Sequence, residues 1–252
     1  MAYPWYDSIW LSSYVQAKMY LAELDPAKLA EFERALSVFR IDSAFEPIGI
    51  DKFFDDDVLD RIRSTVASYT LAQMELHELA DFGRLVVHDD PYFLELQRSV
   101  TRLVSDLVGE EVEPSYNFLS LYEGAASCAL HMDAPIAKWT LDICVDQSRP
   151  WPIHFSKVVP WPEAWAPPAS GSWEDAIREG EEFTDHLMSP GEAIIFGGSS
   201  QWHYRDPMPQ ATGNDFCTLL FFHFIPAGSG ALSKPENWAD IFDVPALGCL
   251  RG

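Results

Sequence analysis

The chain has 252 residues and a mass of 28.5 kDa, with 39 acidic against 17 basic side chains and a formal net charge of −22. Hydrophobic residues make up 48%, enough to bury a core and exclude global disorder, while the acidity excludes a nucleic-acid backbone or an anionic membrane surface as partner. No apolar run approaches the roughly 18 residues of a membrane span, and Met1 to Ser12 shows no basic stretch leading into an apolar one, so neither a membrane segment nor a signal peptide is expected.

The first 113 residues read as mainly helical. Asp25-Pro26 pairs a capping residue with an N1 proline and predicts a helix to about Val38, with Leu29, Phe32 and Leu36 on one side. Asp57 to Asp81 carries Leu59, Ile62, Val66 and Tyr69 at helical spacing. Asp90-Pro91 opens a third helix, which ends near Gly109. Beyond Pro114 the texture changes to short strands punctuated by Gly, Pro, Asp and Asn. These are Tyr116–Tyr122, Cys128–His131, Trp139–Val145, Pro152–Val159, Phe183–Leu187, Glu192–Phe196 and Phe216–Ile225. Such a run after a helical prefix predicts an α+β chain: one domain over 1–252, with a jelly-roll core at 114–227 braced by the helices and covered by 228–252. The Pro- and Trp-rich stretch from Pro160 to Gly180 is a long loop, read as a substrate lid or a homodimer contact. Cys128, Cys144, Cys217 and Cys249 are widely spaced without a CxxC, as expected of free thiols in a cytoplasmic protein.

Seven histidines are present, two of them in His-x-Asp triplets. A strand turns residues i and i+2 to one face, so an imidazole and a carboxylate in that spacing can share a metal, and a distant histidine can complete a facial triad. His88-Asp89-Asp90 already has an ordinary explanation as a helix start. His131-Met132-Asp133 ends a predicted strand and follows Tyr122-Glu123-Gly124, while SPGEAIIFGGSSQWHYRDP later carries His203.

These two segments resemble the Fe(II)/2-oxoglutarate-dependent oxygenases, on the prolyl-hydroxylase-like side, over roughly Tyr116 to Pro226. The resemblance implies a double-stranded β-helix in which His131, Asp133 and His203 hold Fe(II), with 2-oxoglutarate and O2 as co-substrates. The family places a cation for the distal carboxylate of 2-oxoglutarate about ten residues after the distal histidine. Thr212-Gly213-Asn214-Asp215 contains none. Arg205, two residues past His203, is the preferred substitute, with Lys138 the alternative. Tyr116, Asn117 and Tyr122 are further candidates for that carboxylate, Tyr116 and Tyr122 sharing one strand face by their even spacing. Trp139, Trp202, His154 and His223 are read as packing or supporting residues, and Trp238 as a residue that closes on substrate.

The implied reaction is hydroxylation of an unactivated C–H bond in a small molecule, an amino acid or natural-product intermediate, with succinate and CO2 released. A carboxylate at Asp133 opposes halogenation, which needs a small residue there. The competing readings are a peptidyl hydroxylase, a non-redox cupin-like binding barrel and a zinc hydrolase; the last lacks HExxH and an evident nucleophile. The overall field of an acidic protein opposes capture of dianionic 2-oxoglutarate, so a local cation must overcome it.

Overall fold

The computed structural model describes residues 8–161, 173–209 and 213–249. Helix α1 spans Ser8–Leu24 and α2 Pro26–Leu36, followed by β1 Ile48–Ile50 and α3 Asp56–Ser68. Next come α4 Leu79–Phe82, β2 Arg84–His88 and α5 Pro91–Val108. The strands β3 Val112–Glu123, β4 Cys128–His131, β5 Trp139–Gln147 and β6 Ile153–Val158 precede α6 Trp173–Gly180. The remainder is β7 Phe183–His186, β8 Ala193–Phe196, β9 Gln201–Arg205, β10 Phe216–Pro226 and α7 Trp238–Ile241. Among the described residues no helix is long and apolar enough to cross a membrane.

The helix starts follow the local chemistry. The Asp25 carboxylate accepts from the amides of Ala27 and Lys28, and Asp90 accepts from Tyr92 N at 2.8 Å, each with proline in the first turn. Helix α5 ends on Gly109, whose φ of 73° suits a residue without Cβ. The long helix expected over Asp57–Asp81 is interrupted instead. It stops at Ser68, Thr70 and Gln73 close a short 3-10 turn, and Glu75 bridges to Val86. The chain then reverses at Gly83 (φ 66°), where a Cβ would strike Ala126. Backbone pairing with β2 outweighs helical periodicity in this stretch.

Among the described residues ten strands form two antiparallel sheets. One has six strands in the order β1-β8-β5-β10-β3-β2, the other four in the order β4-β9-β6-β7. From β3 to β10 the chain passes back and forth between the sheets, which is the jelly-roll winding. The N-terminal region is thus more than a brace: β1 and β2 extend the larger sheet at its two edges.

Three apolar layers result. Leu59, Ile62, Phe93 and Val104 of the helices meet Leu141, Leu220 and Phe222 on the outer face of the larger sheet. Between the sheets lie Trp151, Phe155, Ile194, Phe196 and Leu219. The third layer joins α1, α2 and the C-terminal segment to the outer face of the smaller sheet through Leu130, Met132, Trp202 and Tyr204. Trp238 is fully buried there, edge-on to Trp10 and Phe32 at 5.6 and 5.1 Å, with Nε1 donating to the Leu232 carbonyl. It is a core residue and does not close on substrate, because the tail packs on the helical coat. Truncating it opens a large cavity, so Trp238→Ala is expected to cost about 3–5 kcal/mol, measured by urea unfolding.

Candidate active site

The register of β4 against β9 places His131 directly opposite His203 and Cys128 opposite Arg205. Strand alternation turns His131, His203 and Arg205 into the space between the sheets and sends Leu130, Trp202 and Tyr204 to the outer apolar layer. Strand β4 ends at His131, so Asp133 reaches the site from the following turn. Its amide donates to the Gly198 carbonyl at 2.8 Å, and its Oδ2 accepts from Thr140 Oγ1 at 2.9 Å. Gly198 is required by close approach, since a Cβ there would overlap Asp133 Oδ2, Thr140 Oγ1 and the Ala137 carbonyl.

The remaining oxygen, Asp133 Oδ1, lies 3.6 Å from His131 Nε2 and 3.8 Å from His203 Nε2. One ligand atom from each of the three residues falls within 4.8 Å of the others. The other ring nitrogens are already committed: His131 Nδ1 bonds to the Ala129 carbonyl at 2.7 Å and His203 Nδ1 to the Gln201 carbonyl at 2.9 Å. A carbonyl only accepts, so each Nδ1 carries a proton and each Nε2 is left directed toward Asp133. Two imidazole Nε2 atoms and a carboxylate converging in this way form a donor set suited to a divalent metal with open positions, the metal displacing the proton that His131 shares with Asp133.

The cluster opens onto a cavity of about 130 Å³ walled by Tyr116, Phe118, Tyr122, Phe221 and His223 from the larger sheet. Arg205 lines it two residues along β9 from His203. The Arg205 guanidinium is buried, its Nη1 donating to the Trp151 carbonyl at 2.5 Å and its Nη2 to Asp142 Oδ2 at 2.7 Å. Asp142 is itself fully buried, and its Oδ1 has no hydrogen-bond partner among the described residues.

The other sequence candidates separate by strand face. Tyr116 and Tyr122 line the cavity together, as their even spacing requires. Asn117 points the opposite way, donating to Gln97 Oε1 at 2.9 Å beneath α5, and so does not reach the cavity. Lys138 also lies outside it. Its Nζ donates to the Val38 carbonyl at 2.7 Å and pairs with Glu110 at 2.6 Å, tying the start of β5 to the helical side. Trp139 and Trp202 are core residues, and His154 pairs with Asp185 on the outer side of β6. Most of the Pro160–Gly180 loop lies outside the described residues; of its ends, Trp161 packs on Trp10 and Tyr14, and α6 is largely exposed. Sequence reasoning missed Asp142, Glu78 and Arg84. The last two also line the cavity, and no local motif marks them.

Burial works to lower the His131 pKa, but the adjoining Cys128 sulfur and Asp133 carboxylate outweigh it and raise it well above the ordinary value. Burial likewise opposes ionisation of Asp133, yet the hydrogen bond from His131 and the charges of His203 and His131 hold it well below the usual carboxylate range. Burial, with His131 nearby, pushes His203 down to about 4. Burial pushes His223 to about 4 as well. His223 stacks on Tyr116 at 4.1 Å and has a buried Nδ1 without a hydrogen-bond partner among the described residues.

No protein-family model matches the chain, and no curated protein matches its sequence. Solved structures do match its fold. SnoN, a non-heme alpha ketoglutarate dependent epimerase from nogalamycin biosynthesis, was solved with Fe3+, alpha ketoglutarate and nogalamycin RO. It is 14% identical over 79% of this chain and 84% of its own, with a TM-score of 0.57. HygX from Streptomyces hygroscopicus, with nickel, 2-oxoglutarate and hygromycin B bound, is 12% identical over 77% and 87%, with a TM-score of 0.55. AviO1 from Streptomyces viridochromogenes Tue57 is 16% identical over 77% and 95%, with a TM-score of 0.52. At these identities the likeness is one of fold.

The two neutral histidines bear on acid stability. Below about pH 6.5 the unfolded chain binds protons that buried His203 and His223 refuse, so stability present above that value is lost as pH falls toward 4. His223→Phe keeps the stack on Tyr116 and removes one such group. Its urea midpoint is expected to fall less than that of the parent between about pH 7.5 and about pH 5.

Proposed function

We propose that the protein is an Fe(II)- and 2-oxoglutarate-dependent oxygenase that hydroxylates an unactivated C–H bond of a small molecule. The observation that carries this reading is the convergence of His131 Nε2, His203 Nε2 and Asp133 Oδ1 at the mouth of a cavity also lined by a buried arginine. The same fold holds iron or nickel together with 2-oxoglutarate in SnoN and HygX, which supports the assignment of metal and co-substrate. Bound Fe(II) with 2-oxoglutarate supplies the oxidising chemistry, and the co-substrate leaves as succinate and CO2.

In this reading the chain positions and shields. His131, Asp133 and His203 hold the metal on one face, with Thr140 and the Ala129 and Gln201 carbonyls fixing the orientation of each ligand. Arg205 takes the distal carboxylate of 2-oxoglutarate with its fork, kept rigid by Asp142, and Tyr122 flanks it. Phe118, Phe196 and Phe221 keep water from the reacting centre. SnoN is an epimerase, so stereochemical inversion by the same machinery is the second reading. Product mass separates the two: hydroxylation adds one oxygen atom, epimerisation none.

Anaerobic addition of 2-oxoglutarate to the Fe(II)-loaded protein is expected to give a weak visible band near about 500 nm. Asp133→Ala is expected to abolish both that band and succinate release in air; normal turnover in this variant would refute the ligand assignment. Arg205→Lys keeps the charge and loses the fork. It is expected to raise the 2-oxoglutarate requirement by about tenfold or more while moving the Fe(II) requirement far less.

A further inference from the structure

The cavity contains a second arginine that neither the metal nor 2-oxoglutarate uses in the reading above. Arg84 stands on β2, the edge strand outside the jelly-roll winding, with its Cα opposite that of Tyr122. Its side chain is only 11% exposed and lines the same cavity as the triad. Its Nε is held by the Glu78 carboxylate, and its Nη1 donates to Tyr122 Oη at 2.7 Å and Ser120 Oγ at 3.4 Å. Among the described residues Nη2 takes no hydrogen bond. The guanidinium lies 5.4 Å from the Phe118 ring centroid, and Phe118 continues into stacked contacts with Phe221 and with His223 on Tyr116.

Burying a guanidinium is costly, and a tether for the 69–83 segment would not require it to face the reaction cavity. A fork held from one side by Glu78 and Tyr122, beside a continuous aromatic wall, is a receptor for a carboxylate attached to an apolar body. Resting on the oxygenase reading above, we infer that Arg84 anchors a carboxylate of the organic substrate, which is a monocarboxylate whose apolar or aromatic portion lies along Phe118 and Tyr116. Glu78 orients Arg84, and its charge selects against a second anionic group at this end.

The test is calorimetric titration of the Fe(II)-loaded protein with alkyl and arylalkyl monocarboxylates, from octanoate to 3-phenylpropionate, each beside its primary amide. At least one acid is expected to bind about tenfold or more tightly than its amide. Arg84→Met is expected to remove that preference while changing 2-oxoglutarate affinity, read from the visible band, by less than about twofold. Arg84→Lys, which keeps the charge without the fork, falls between, and Glu78→Gln retains or strengthens acid binding. Melting curves confirm that each variant is folded. The inference is overturned if no acid is preferred over its amide, if Arg84→Met weakens 2-oxoglutarate as much as the acids, or if Glu78→Gln loses acid binding in step with Arg84→Met. The last result would make the pair a structural tether. Absence of the visible band in the parent protein counts against the oxygenase reading alone, because the preference for acids is read as heat.

Discussion

His131 and His203 face one another across a single antiparallel pair, and the register of β4 on β9 is the constraint on which the site depends. Side chains alternate with period two, so a slip of one residue would carry an imidazole to the outer face and bring its apolar neighbour into the cavity. That outer face is not neutral ground. Leu130, Met132, Trp202 and Tyr204 pack there against α1, α2 and the C-terminal segment. Burial of this aromatic coat therefore selects the register, and residues far from the chemistry decide which way the histidines point.

The charges in the cavity are arranged as countered pairs. Arg205 is matched by Asp142 and Arg84 by Glu78, while Asp133 lies between two imidazoles. Ion pairs taken out of water recover little net stability, because desolvation offsets most of the attraction. What they do is hold forked donors in fixed orientations between two sheets. In a chain of net charge −22 this matters: an anion entering the cavity meets oriented hydrogen-bond donors even though the surrounding field repels it.

Helix starts were legible wherever the signal was local. Asp25-Pro26 and Asp90-Pro91 each combine a side-chain acceptor with a proline that needs no amide partner, and both begin helices as expected. The helical periodicity of Asp57–Asp81 misled, because the pairing of Glu75 with Val86 and the reversal at Gly83, packed close on Ala126, depend on contacts through space that helical spacing does not register. Strand β2 went unseen for a related reason: its five residues gain their structure by pairing with β3 and bridging to Glu75.

The sequence by itself determined the mixed class of the fold and the His131-x-Asp133 pair, because period two and that spacing are properties of neighbouring residues; His203 was reached only through the family resemblance, and the register of β4 on β9 brings it to the pair. The same rule put Tyr116 and Tyr122 on one strand face, but Asn117 stood beside them as a candidate until the sheet pairing showed that it faces α5 and the tyrosines face the cavity. Tertiary structure decided the rest. Lys138 was drawn to Glu110 and the Val38 carbonyl, Trp238 into the core, and Arg84 into the cavity from outside the jelly-roll winding. A charged side chain reaches its partner through space, and 38 positions separate Arg84 from the Tyr122 hydroxyl that it meets.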